Sequence, residues 1–151
     1  MSTPSFHLTP LPAAFVTRVR ATLRDDFNRP VSVTVAEGGE PLRDQLRRAA
    51  PGERIILCSY QSVPLPSLFA EIGPIFISAD ASPAPTPAPG ALPAAGYFNR
   101  TFALRAYDVN DAIIESALIE PADASGRIAA WLANPAVACV HARFGGHGCF
   151  A

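Results

Sequence analysis

From Leu11 to Phe27 the apolar positions fall at Pro12, Phe15, Val16, Val19, Leu23 and Phe27. Steps of three and four place them on one stripe, which predicts a helix over this stretch, entered through Thr9 and the prolines at 10 and 12. Pro30 disfavours helical backbone at Arg29 and stops it. A short edge strand is expected at Phe6-His-Leu8. The pattern then changes period. Val31 to Ala36 alternates and is rich in β-branched residues, which predicts a half-buried strand. Gly38-Gly39 turns the chain, Leu42 to Ala49 reads as a short helix, and Pro51-Gly52 turns it again. The continuous apolar run Arg54 to Tyr60 predicts a central strand buried on both faces. Gln61 to Ser67 reads as a loop, and Gly73 to Ile77 as the next strand.

Residues 79–95 break this order, with prolines at 83, 85, 87, 89 and 93. Each proline removes an amide donor and fixes φ, so a flexible, exposed, proline-rich insert is expected there. Alternation resumes at Thr101 to Tyr107. A turn at Asp108 to Asp111 and a strand from Ala112 to Ile119 complete a hairpin. Asp123 or Ser125 can cap a helix running to Ala133. Ala136 to His141 reads as a strand, Phe144 to Gly148 as a tight turn, and Cys149 to Ala151 as the start of a return strand. The expected fold is α+β: one mixed, largely antiparallel sheet of about five to seven strands, with two main helices packed on it.

At 151 residues the chain has the size of a single domain spanning 1–151. No apolar run reaches the roughly 18 residues that a membrane helix needs, and the first residues do not read as a signal peptide. Three cysteines in that setting are expected to be reduced thiols in a cytoplasm. A net charge of −1 offers no footprint for nucleic acid. All twelve basic residues are arginine, which excludes a lysine Schiff base or a lysine-dependent phosphate loop. No cofactor motif is present, and no membrane or nucleic-acid partner is expected. The oligomeric state is open.

The chemistry concentrates at the end of the chain. Cys139, His141 and Arg143 stand at i, i+2 and i+4 on a strand and therefore share one face. The glycine-rich turn brings His147 and Cys149 back toward them. Three readings compete. Cys149 can act as a nucleophile or redox thiol, with His141 as its base. Cys139, His141, His147 and Cys149 can bind zinc, although C-x-H-x5-H-x-C is not a standard ligand spacing. Arg143, with Arg105, Arg43 and Tyr60, can line a pocket for a small anion, since guanidinium forks bind carboxylate or phosphate; Tyr107 shares the Arg105 face. Against these stands the ordinary reading of Cys58 and Cys139 as small core residues, and of Asp25-Asp26 and Arg47-Arg48 as solvated faces.

Several segments together resemble a bacterial family known as domain of unknown function 1203. They are Pro51-Gly-Glu-Arg-Ile-Ile-Leu-Cys-Ser-Tyr60, Gly73-Pro-Ile-Phe76, Leu104-Arg-Ala-Tyr-Asp108, and the ending with Val140-His-Ala-Arg143 and Gly148-Cys149. The resemblance runs from about residue 5 to the end. Pro41-Leu-Arg43 stands where the family often has a Cys-Arg pair, and the proline-rich insert departs from the family pattern. The resemblance implies one intact domain and singles out Arg43, Tyr60, Arg105, Arg143 and Cys149. It implies no reaction. The expectation is therefore a cytoplasmic protein that binds a small molecule or anion in an arginine-lined pocket near the C-terminal turn. The alternatives are an enzyme using Cys149 with His141, and an interaction module or partner subunit.

Overall fold

The computed structural model describes residues 5–151. Its first element, α1 (Ala13–Thr22), buries Phe15, Val16 and Val19. The helix ends five residues before the stripe does. Leu23 adopts φ 54° and donates its amide to the Val19 carbonyl, a left-handed stop. Asp25 then draws residues 24–30 into a turn, because its carboxylate accepts the amides of Phe27 at 2.9 Å and Arg29 at 3.0 Å. Asp25 is thus a buried structural acceptor, not part of a solvated face.

Strands β1 (Ser32–Val35), β2 (Pro41–Leu42), β3 (Arg47–Arg48), β4 (Arg54–Val63) and β5 (Glu71–Ser78) form a five-stranded sheet in the order β1-β4-β5-β2-β3. All pairings are antiparallel except β2 with β5. β1 is an edge strand, and its four residues are exposed where alternation predicted a half-buried strand. β4 is buried on both faces at Ile55 and Ile56 but opens at Leu57. It also runs on to Val63 through a bulge, into the stretch read as loop.

The helix expected over Leu42 to Ala49 is instead the β2–β3 hairpin. Tertiary partners override the local preference there. Leu42 is fully buried beside Ile55 and pairs with Phe76. Asp44 accepts the Ser78 amide at 3.0 Å and the Arg20 guanidinium at 2.6 Å. A helix would withdraw both side chains from those partners.

Residues 79–95 contain no helix or strand. Beyond them β6 (Phe102–Tyr107), β7 (Ile113–Ile119) and β8 (Cys139–Phe144) form a separate antiparallel sheet in the order β7-β6-β8. The expected single sheet is therefore two, of five and three strands. Helix α2 (Pro121–Leu132) starts at Pro121, a residue suited to the first helical position. Asp123 and Ser125 consequently lie inside it instead of capping it. β8 begins three residues later than expected, after a turn at Asn134. The return of the chain end is a single bridge, Arg143 with Phe150. Phe6 forms no strand; its side chain fills the core around Phe102, Leu104, Ile119 and Ile128.

Besides a small cluster of Ala36, Leu42, Ala49 and Ile55, two larger apolar cores form among the described residues. One lies between α1 and the five-stranded sheet, around Val19, Ile56, Ile75 and Ile77. The other lies between α2 and one face of the three-stranded sheet. Leu104 is fully buried in the second, so Leu104→Ala is expected to lower the free energy of unfolding by about 2–5 kcal/mol. Leu68→Ala, at a side chain 99% exposed, should change it by less than about 0.5 kcal/mol. Urea denaturation of the two variants checks this; similar losses would contradict the placement of the second core.

Candidate functional site

Antiparallel register decides what the other face of the three-stranded sheet carries. Arg105 lies opposite His141, Tyr107 opposite Cys139, and Ala103 opposite Arg143. Directly opposed residues share a face, so Arg105, Tyr107, Cys139, His141 and Arg143 stand together, away from α2. A carboxylate from the five-stranded sheet meets them. Glu71, at the start of β5, accepts from Arg105 Nη1 at 3.0 Å and from Arg143 Nη2. Arg143 also donates to the Gly148 carbonyl at 3.0 Å and to Ser62 Oγ at 3.2 Å. Burial works against the Arg105 charge, but the Tyr107 hydroxyl and the Glu71 carboxylate outweigh it and raise its pKa. Both guanidinium groups are therefore engaged within the protein.

His141 is held between the rings of Tyr107 and Phe150, at centroid distances of 4.6 and 5.2 Å. Burial, then the Arg143 charge, pushes its pKa down to about 4. His141 Nδ1, Tyr107 Oη and Arg143 Nε are buried without a hydrogen-bond partner. Tyr60 is an aromatic joint, 5.0 Å from Phe15 and 5.4 Å from Phe150. Cys139 and His141 open onto a hollow of about 490 Å³ between the N-terminal segment, α2 and the outer edge of β8.

A larger cleft, about 680 Å³, lies beside the C-terminal turn. Arg43 and Arg48, from either side of the β2–β3 turn, reach it from below. Arg100, Phe98 and Thr101 border it, and Phe144, His147 and Cys149 close it. Arg43 is 4% exposed. Its Nε donates to the Phe150 carbonyl and its Nη1 to the Pro41 carbonyl, both at 2.8 Å. Arg48 donates to the carbonyls of Gly39, Gly96 and Tyr97. Both guanidinium groups lie near the Phe144 ring, 5.0 and 5.4 Å from its centroid. Burial, reinforced by the neighbouring Arg48 charge, lowers the Arg43 pKa. The turn itself depends on Gly145, where a Cβ would stand 2.5 Å from the Thr101 carbonyl oxygen.

Charge pairing separates this cleft from the Glu71 cluster. Among the described residues, seven of the twelve arginines pair with a carboxylate. Arg43, Arg48 and Arg100 do not, and all three line this one cleft, which no aspartate or glutamate lines.

The residues singled out from sequence thus divide between two places. Arg105, Tyr107, His141 and Arg143 gather around Glu71; Arg43 and Cys149 meet in the cleft; Tyr60 packs against Phe150 between them. No hydrogen bond joins His141 to Cys149. Cys58 is a core thiol whose pKa burial pushes up to about 12, and Cys139 is likewise raised by burial. Among the described residues no three of His, Cys, Asp and Glu are grouped so as to hold a metal ion. Five contributors escaped sequence reasoning, the exposed Arg100 among them. Glu71 is a lone carboxylate whose partners lie on distant strands. Arg48 reads as part of a solvated face in the sequence. Tyr97, fully buried with its hydroxyl donating to the Ala151 main-chain oxygen at 2.7 Å, and Phe98 follow the proline-rich stretch. An aromatic pair just past such a segment was the available signal.

These features define a two-sheet α+β protein with a cationic cleft at its C-terminal turn. The chain belongs to the family described as Protein of unknown function (DUF1203), whose model matches residues 39–151. No curated protein and no solved structure matches it. The match is shorter than the expected resemblance, so α1 and β1 lie outside it. Arg43, Tyr60, Arg105, Arg143 and Cys149 all lie within it. Among the described residues no helix is long and apolar enough to cross a membrane.

Two outcomes are expected. Glu71→Gln leaves the buried Arg143 guanidinium without its counter-charge. Breaking a buried pair costs about 3–5 kcal/mol, but Glu71 is 40% exposed, and screening there reduces the loss to about 1–2 kcal/mol. Denaturant unfolding at pH 7 measures it, and an unchanged midpoint would contradict the bridge. His141 titrates near 4 when folded, against 6.5 ordinarily. Below pH 6.5 the unfolded chain takes up a proton that the folded chain refuses, so stability falls as pH drops from 6.5 through 4. The loss reaches about 3 kcal/mol. His141→Phe should flatten that part of the stability–pH curve relative to the unsubstituted protein, and two parallel curves would refute it.

Proposed function

We propose that this protein binds a small anion in the cleft formed by Arg43, Arg48 and Arg100 beside the C-terminal turn. One observation carries the reading: three arginines without carboxylate partners line a cleft that contains no carboxylate. Low-dielectric walls of a single sign concentrate the field and raise the local concentration of counter-ions. Arg43 is buried, and its guanidinium donates to two carbonyl oxygens and lies near an aromatic ring without a carboxylate partner. An anion in the cleft would offset the remaining desolvation cost. The anion pocket expected around Arg105 and Arg143 is thereby moved to Arg43, because Glu71 engages the other two. Three free thiols fit the reducing cytoplasm in which we place the protein.

The enzyme reading retains one favourable feature, since Cys149 lines the same cleft as Arg43. His141 does not support it as base. Its imidazole is packed between Tyr107 and Phe150, and a pKa of about 4 makes it a weak proton acceptor.

A thermal-shift panel tests anion binding. Acetate, benzoate, sulfate and phosphate at millimolar concentration are compared with acetamide and benzamide. A ligand at 100 times its dissociation constant adds about 2.7 kcal/mol, a rise of roughly 5–10 °C for a chain of this size. At least one anion should raise the melting temperature, and the neutral amides should not. Arg100→Met, an exposed substitution, should reduce the shift, and Arg43→Met should abolish it. If no anion stabilises the unsubstituted protein, the reading fails.

A further inference from the structure

We infer that the ligand of this cleft is an amphiphilic carboxylate: an organic acid with one negative charge and an aliphatic or aromatic body. This rests on the anion reading and narrows it by three observations.

The first is size. A cleft of about 680 Å³ lies in the range of sites that enclose an organic molecule of tens of atoms. An inorganic anion would fill a small part of it and leave the rest to water. The second is the wall. Leu57, Pro74, Phe76, Phe98, Phe102 and Phe144 line the cleft alongside the arginines. Leu57 is 38% exposed on an otherwise well-covered strand. An apolar body seated there would remove this surface from water, which an inorganic ion cannot do.

The third is the donor supply. Arg48 directs all three guanidinium nitrogens at backbone carbonyls. Arg43 uses Nε and Nη1 in the same way, leaving Nη2 without a protein acceptor. The nitrogens of the cleft without a protein acceptor are thus Arg43 Nη2 and those of the exposed Arg100. A phosphate group needs donors around three oxygens or more. A carboxylate presents two oxygens and one charge, which Arg43 Nη2 and the exposed Arg100 can meet.

Isothermal titration of the full chain with acetate, butanoate, hexanoate and octanoate tests the inference, with hexanamide and hexyl phosphate alongside. Affinity should rise roughly fourfold for each methylene that becomes fully buried. Hexanamide should not bind, and hexyl phosphate should bind more weakly than hexanoate. Leu57→Asn should reduce the dependence on chain length. If acetate or inorganic phosphate binds but the acid series is flat, the amphiphile is refuted and the anion reading stands. If hexyl phosphate binds more tightly than hexanoate, the carboxylate assignment falls. An undiminished slope in Leu57→Asn would overturn the placement of the apolar body. Failure of every anion, inorganic phosphate included, would remove the anion reading itself.

Discussion

The Glu71 carboxylate between Arg105 and Arg143 is the contact on which the arrangement of the two sheets depends. The three-stranded sheet turns its apolar face to α2. Its other face carries two arginines, a histidine and a tyrosine toward the five-stranded sheet. Covering such a face is costly unless its charge is met, because a buried guanidinium without a counter-charge costs several kcal/mol. Glu71 meets it at the junction. Arg143, fixed there, holds the C-terminal turn through the Gly148 carbonyl. The turn leads the chain back to Phe150, whose carbonyl accepts from Arg43. Pairing at one end of the interface thus positions the arginine that defines the cleft at the other.

The two groups of arginines solve the same problem differently. Arg105 and Arg143 share one carboxylate, which offsets part of their charge within the fold. Arg43 and Arg48 are held by carbonyl dipoles and the Phe144 ring. These orient a guanidinium without cancelling its charge. Orientation without neutralisation leaves a fixed positive field facing a cleft. The apolar strand residues around it keep the local dielectric low, so the field acts more strongly than on an open surface.

The parts of this arrangement that were legible in the sequence are those written as short-range periodicity. The three-and-four spacing of Phe15, Val16 and Val19 showed the buried face of α1. Alternation along Phe102 to Tyr107 placed Arg105 and Tyr107 opposite the apolar face, and alternation along β8 put Cys139, His141 and Arg143 on one side. The illegible parts involve distant partners. Leu42 to Ala49 has a locally helical pattern, yet Leu42 and Asp44 are claimed by Phe76, Ser78 and Arg20. The stripe of α1 continues to Phe27, but Leu23 ends the helix in a left-handed conformation and the Asp25 carboxylate holds the turn that follows by accepting the amides of Phe27 and Arg29. Spacing alone indicates neither the separation into two sheets nor the pairing of Arg143 with Glu71, 72 positions away.

What the sequence by itself determined, then, is the α+β character, the hairpin, the polar face of the last strand and the absence of lysine chemistry. The tertiary structure alone decided which arginines are free. An arginine reads the same in a chain whether or not a carboxylate lies beside it, because electrostatic pairing acts through space. Arg105 and Arg143 read as ligand residues in the sequence, and the fold places the Glu71 carboxylate between them. Arg48 looked like surface until the fold turned it, with Arg43, into the wall of a cleft.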